Sequence, residues 1–163
     1  AKVMEAFVKT MGKRIGPKSG TDKMFVIDGE PDAMAAQYGE YFNYFILQAY
    51  SSSGNSDLNS RFTAQATHFQ QYLTPEQVAN KLIVCENFEN YAGKGGVDFR
   101  LDNGTTLPSL LGMAYWNPVY NGVTYRKGGV GTYHMEYEYT VSGQTGNYPF
   151  LRKAIQIMNP SIQ

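Results

Sequence analysis

Apolar positions recur at intervals of four at the start of the chain, at Val3, Phe7, Met11 and Ile15, the spacing of one helix face. Gly16-Pro17 follows as a stop, because glycine frees the backbone and proline cannot continue a helical ladder. The period then changes. Residues 23–28 form a short, nearly continuous apolar run, which predicts a strand covered on both faces. Gly29-Glu30-Pro31 breaks that run, and residues 32–38 are expected to form a short helix. Residues 41–50 give the strongest strand signal, rich in aromatic and β-branched side chains, and the Ser51-Ser52-Ser53-Gly54 loop closes it. Residues 58–73 read as a helix. Thr74-Pro75-Glu76-Gln77 has the form of another helix start, with threonine at the cap and proline in the first turn.

Residues 81–88 make a third strand, and residues 90–103 a glycine-rich loop. A helix over 107–116, a turn-rich stretch over 117–129 and a fourth strand over 130–141 come next. A helix over 148–158 closes the pattern at Asn159-Pro160. Four strand-then-helix units with no linker between them predict one α/β domain over 1–163, with parallel strands joined by crossovers. Such a set is either a small doubly wound sheet or half of an eight-stranded barrel. The opening helix has no cap and no initiating methionine, so the chain is expected to continue upstream.

Composition narrows the function. The 163 residues carry 14 Lys+Arg against 14 Asp+Glu, so neither a nucleic-acid footprint nor a polybasic membrane patch is expected. No apolar run reaches the ~18 residues of a membrane span, and the first residues lack the pattern of a signal peptide. Thirteen tyrosines and nine phenylalanines supply a packed core instead. Cys85 stands alone in an apolar run, as a buried small hydrophobe would. His68 and His134 lie far apart on different kinds of element, so no metal site is expected. Neither a G-x-G-x-x-G nor a Walker-type loop occurs, and Gly93-Lys94-Gly95-Gly96 has no hydroxyl after its lysine, so no phosphate-bearing cofactor is implied.

The strands end in polar chemistry. The first closes on Asp28-Gly29-Glu30, the second on Gln48-Ala49-Tyr50 and the third on Glu86-Asn87-Phe88-Glu89, while Tyr133, His134 and Met135 lie in the fourth. Period two sets Tyr44, Ile46, Gln48 and Tyr50 on one face of the second strand. An amide and a phenol on an aromatic background suit a sugar, whose C–H faces lie on rings and whose hydroxyl and acetamido groups exchange hydrogen bonds. The competing reading makes these groups packing residues, or partners for neighbouring lysines and arginines. Tyr115, Trp116, Tyr120 and Tyr125 form either a second aromatic platform or a staple for a long loop.

The 41–50 run resembles the sixth barrel strand of glycoside hydrolase family 18, in its endo-β-N-acetylglucosaminidase branch, where glutamine or asparagine, one residue and then tyrosine close the strand. The Gly129-x-Gly131-x-Tyr133 run is similar to that branch's eighth strand, and residues 23–30 and 81–89 fit as strands five and seven. The resemblance implies a (β/α)8 TIM barrel of which this chain supplies the last four units, with an N-terminal half or a second chain as its partner. It implies substrate-assisted hydrolysis of an N-acetylglucosamine linkage in the chitobiose core of N-glycans. Tyr50 would orient the substrate's acetamido group, Gln48 would contact the same sugar, and Tyr133 and Met135 would wall the subsite. Apart from the resemblance, the strand-end carboxylates Asp28 and Glu86 are read as ligand-binding groups or as partners of nearby basic side chains. A secreted or bacterial cell-envelope location is implied as well. The family's Asp-Gly-x-Asp-x-Asp-x-Glu acid signature does not occur in residues 1–163. The general acid therefore lies outside this chain, or the parent is a non-catalytic glycan-binding protein on the same barrel.

Overall fold

The computed structural model describes residues 2–139 and 147–160. Helix α1 (Lys2–Met11) leads to a sheet of four parallel strands, β1 (Val26–Gly29), β2 (Tyr44–Gln48), β3 (Leu82–Asn87) and β8 (Gly129–Tyr133), adjacent in that order. Helices α2 (Asn55–Phe69) and α3 (Pro75–Lys81) join β2 to β3. The connection from β3 to β8 carries an antiparallel pair, β4 (Asp98–Arg100) with β5 (Thr106–Pro108), then α4 (Ser109–Tyr115) and the small hairpin of β6 (Val119–Tyr120) and β7 (Val123–Thr124). Short α5 (Glu136–Tyr139) and α6 (Pro149–Met158) follow β8.

The register separates two faces. Ile27, Phe45 and Leu82 align on one, as do Leu47, Val84 and Val130 one pleat further on. Phe45, Leu47, Leu82 and Val84 are buried there against Leu58, Phe62 and Phe69 of α2 and Val78 of α3, and the rings of Phe45 and Phe69 stack at 5.0 Å. The opposite face carries Tyr44, Ile46, Gln48 and Ile83, all half-buried and outside the hydrophobic cluster among the described residues. Large apolar side chains are exposed at both ends of the sheet. Val3, Met4 and Phe7 of α1 are exposed with Met24 and Val26, the Phe7 ring lying 6.3 Å from Phe25 just before β1, and Ile155 of α6, the helix that contacts β8, is exposed as well.

The α3 start is as expected. The Thr74 hydroxyl accepts the Gln77 N–H at 3.2 Å and the Gln77 side chain accepts the Thr74 N–H at 2.8 Å, a complete capping box. Other boundaries move. α1 ends at Met11 because Gly12 is seated on the Tyr41 ring, where a Cβ would stand 2.2 Å from a ring carbon. The expected 32–38 helix is two short 3-10 turns, Pro31–Ala33 and Ala36–Tyr41, the second consuming the start of the expected 41–50 strand. Asn43 then brackets Phe25 instead of entering the ladder, its side chain accepting the Phe25 N–H and its own N–H donating to the Phe25 carbonyl. The expected 130–141 strand stops at Tyr133, since His134 and Met135 turn the chain into α5. Residues 140 and 141 of that expectation lie outside the described residues.

Candidate functional site

The open face of the sheet assembles most of the polar strand-end residues. Gln48 of β2 aligns with Cys85 of β3 and Gly131 of β8, so these three share one row. Asp28 belongs to the row beneath, aligned with Ile46, and the long Gln48 side chain reaches back to donate its Nε2–H to Asp28 Oδ1 at 3.2 Å. The rim row holds Asn87 aligned with Tyr133, and the Tyr50 ring lies 6.3 Å from the Tyr133 ring at 36°. Tyr50, Gln48, Asp28 and Tyr133 thus converge.

The electrostatics keep this cluster neutral on its donor side. Burial pushes the Tyr50 phenol up to about 12, helped by Cys85, Asp28, Tyr133 and Glu86. Burial also pushes the Cys85 thiol up to about 12, with Asp28 and Glu86 adding to the effect. Near neutral pH the phenol is therefore a hydrogen-bond donor and the thiol is a protonated, unreactive filler. Cys85 is buried as its apolar run predicts, yet its place beside Gln48 on the open face depends on a pairing register that the run alone does not contain.

Glu86 and Met135 stand elsewhere. Glu86 has the parity of Val84, so its side chain turns to the helix side and is completely buried. Its Oε1 accepts the Ser51 N–H at 3.1 Å and the Asn87 N–H at 2.7 Å. Met135 is exposed after the strand end, one residue beyond His134, whose ring stacks on Tyr137 at 4.6 Å and whose Nδ1 lies 2.8 Å from Glu136 Oε1. Glu89 is exposed and bonds within its own turn to Asn87. The aromatic group at 115–125 divides: Trp116 is buried and donates to Asn59 at 2.9 Å, Tyr120 and Tyr125 pack around Phe62, and Tyr115 is exposed. The larger clefts, of about 480 and 510 Å³, border that Tyr115 and not the Gln48 row. His68 bonds the Met34 carbonyl at 2.7 Å, and no cluster that could hold a metal ion occurs among the described residues.

One feature of the open face is what it lacks. Gly129 and Gly131 put no side chain there, and a Cβ at either would meet only ordinary contacts, 3.4 Å from an Ile83 side-chain carbon and 3.8 Å from Cys85 Sγ. The chain's own packing does not require glycine at these positions. The β8 side of the face is a bare floor beneath Tyr133, beside an amide, a carboxylate and two phenols.

Residues 1–157 match the model of glycoside hydrolase family 18, BT1044-like. The chain belongs to glycoside hydrolase family 18. Within family 18 and its relatives, the chain is similar to endo-beta-N-acetylglucosaminidase F2 of Elizabethkingia meningoseptica, 30% identical over 164 residues covering 95% of this chain and 45% of that protein. Among solved structures it is similar to selenomethionine BT1044, with a TM-score of 0.74 and 26% identity over 96% of this chain and 44% of the other. The apo endo-beta-N-acetylglucosaminidase of Cordyceps militaris shares the fold at a TM-score of 0.62 and 23% identity, over 94% of this chain and 49% of that one. The chain spans just under half the length of each of these relatives.

Proposed function

We propose that this chain forms strands five to eight of a family 18 (β/α)8 barrel, and that its rim binds an N-acetylglucosamine unit in the chitobiose core of N-glycans for hydrolysis. The observation that carries the reading is the convergence of Gln48, Asp28 and Tyr50 on an uncovered face whose β8 side is bare glycine. The parallel order and the apolar side chains exposed at both ends of the sheet fit an arc whose neighbours are further barrel units. The N-terminal half of the barrel is the partner this arc calls for.

The chemistry assigned to these residues is positioning and polarisation. A protonated Tyr50 donates to the acetamido carbonyl of the sugar, which attacks its own anomeric carbon while an acid outside residues 1–163 protonates the departing oxygen. Gln48, oriented by Asp28, keeps its carbonyl free to accept from the sugar's N–H or a hydroxyl. Tyr133 offers ring surface to a C–H face. Met135 sits just past that wall, and a secreted or cell-envelope location accompanies the glycan substrate as part of the same proposal.

Turnover of an N-glycan by the full-length protein tests the reading. Tyr50→Phe is expected to lower kcat by about 100-fold, the scale of one lost transition-state donor. A variant as fast as the wild type removes Tyr50 from the site. A second reading, glycan binding without cleavage, rests on the absence of the acid signature from residues 1–163. Glycan retention with no product from the full-length protein would select it.

A further inference from the structure

We propose that Glu86 is a positioning residue for Tyr50, fixing the backbone that follows the phenol and so setting where its hydroxyl stands over the open face. The proposal rests on the reading of the rim given above. Glu86 is completely buried, and a carboxylate taken out of water is costly unless it is hydrogen-bonded. Its Oε1 is occupied by two backbone donors, the N–H of Ser51 and of Asn87, while Oε2 has no partner among the described residues. A buried carboxyl group with one oxygen unpaired is poor as a source of stability, and its two bonds go to particular places.

Ser51 is held at a φ of 59°, in the left-handed region that a serine avoids without support. The Ser51 N–H belongs to the peptide plane that begins at the Tyr50 carbonyl. Anchoring that N–H therefore fixes the backbone of Tyr50 on its C-terminal side, where β2 has already ended at Gln48. The adjacent turn is closed by the Ser52 N–H on the Ala49 carbonyl at 3.1 Å. The second bond holds Asn87, whose partner in the register is Tyr133. One carboxylate oxygen thus ties the peptide that follows Tyr50 and the residue paired with Tyr133, whose rings lie 6.3 Å apart.

The surrounding chain makes room for this carboxylate. Gly96, at a φ of 107°, lies against it, and a Cβ there would stand 3.1 Å from Glu86 Cγ and 1.9 Å from Ser109 Oγ. Ser109 in turn accepts the Val97 N–H at 3.0 Å, so the loop after β3 closes over Glu86 with no side chain between them.

The full-length protein provides the test, with Glu86→Gln keeping an acceptor oxygen, Glu86→Ala removing it, and Glu86→Met filling the volume without it should the alanine variant fail to fold. Hydrogen exchange at the Ser51 amide is expected to quicken more than tenfold in the alanine and methionine variants and little in the glutamine one. Affinity for a chitobiose-core glycan is expected to fall about tenfold with Glu86→Ala alone, and not to fall further when Tyr50→Phe is already present. Equal harm from all three variants, or an undiminished loss in the Tyr50→Phe background, overturns the proposal. If Tyr50→Phe alone leaves both affinity and kcat unchanged, the rim reading fails separately. Ser51 exchange and the NMR contacts between Tyr50 and Tyr133 then decide Glu86, and their persistence in Glu86→Ala overturns it.

Discussion

Lys127 is a nearly buried cation at the end of α4. It is 4% exposed, and its Nζ donates to the Ala114 carbonyl at 2.8 Å and the Trp116 carbonyl at 2.5 Å, where α4 ends and leaves carbonyls without helical partners. Burial, and the neighbouring Arg126, bring its ammonium down to about 8. The folded state therefore binds this proton less tightly than the unfolded chain does. Its contribution to stability is complete above about 10.5 and is lost as pH falls towards 8. The stability gap between wild type and Lys127→Met, measured by urea unfolding, is expected to widen in favour of the wild type as pH rises from 8 to 10.5. The same scale shows what residue patterns carry. Alternation over residues 41–50 groups Gln48 with Tyr50, but the strand ends at Gln48 and Tyr50 reaches the Tyr133 ring from the turn that follows. Glu86 was grouped with them only as a polar strand end. Placing it needs the register, in which Cys85 and Asn87 take the open face and Glu86 the other.

At the level of elements, local signals carry α3 and the centres of the second and third parallel strands, since a capping box and an apolar run are complete within a few residues; the fourth strand overlaps its expected range only over residues 130–133. The ends depended on distant contacts. Nothing near Gly12 announces that the Tyr41 ring will occupy its flank, and nothing near residues 41–43 announces that Asn43 will bond Phe25. Strand β4 lies inside the expected 90–103 loop and β5 overlaps the start of the expected 107–116 helix, and the pair is likewise anchored from afar, by the Arg100 N–H on the Ser53 carbonyl at 2.8 Å. Strand β8 supplies a test of the bare floor. Gly131→Val is expected to leave the melting temperature within a few degrees of wild type and to weaken glycan binding about tenfold, the scale of one misfit methyl group in a site. Gly96→Ala is expected to behave in the opposite way. Its Cβ has no room and its φ of 107° suits glycine alone, so calorimetry should register a loss of about 1–3 kcal/mol.

For the molecule as a whole, the helix side of the sheet is finished and the other side is not. Phe45, Leu47 and Val84 are fully covered, while Ile46 and Ile83 are half-open and the outer edges of β1 and β8 pair with nothing among the described residues. Bare strand edges beside Val3, Phe7 and Ile155 favour association. If the proposed barrel reading holds, the 163 residues on their own are expected to sediment well above 18.2 kDa, or to bind the proposed N-terminal half supplied as a separate polypeptide. A monodisperse species at 18.2 kDa would contradict the arc.

The strands also sit side by side in the order in which they are synthesised. Each new strand of this sheet docks on the one made just before it, so no earlier segment must wait for a distant mate and no later one must thread between finished neighbours. A nascent chain can therefore lay down this sheet from one flank to the other, with the Glu86 tie to the β2 loop closing as soon as β3 arrives. The rim would then take shape in two stages during synthesis: Gln48 and Tyr50 fastened first, the glycine floor and Tyr133 added with β8.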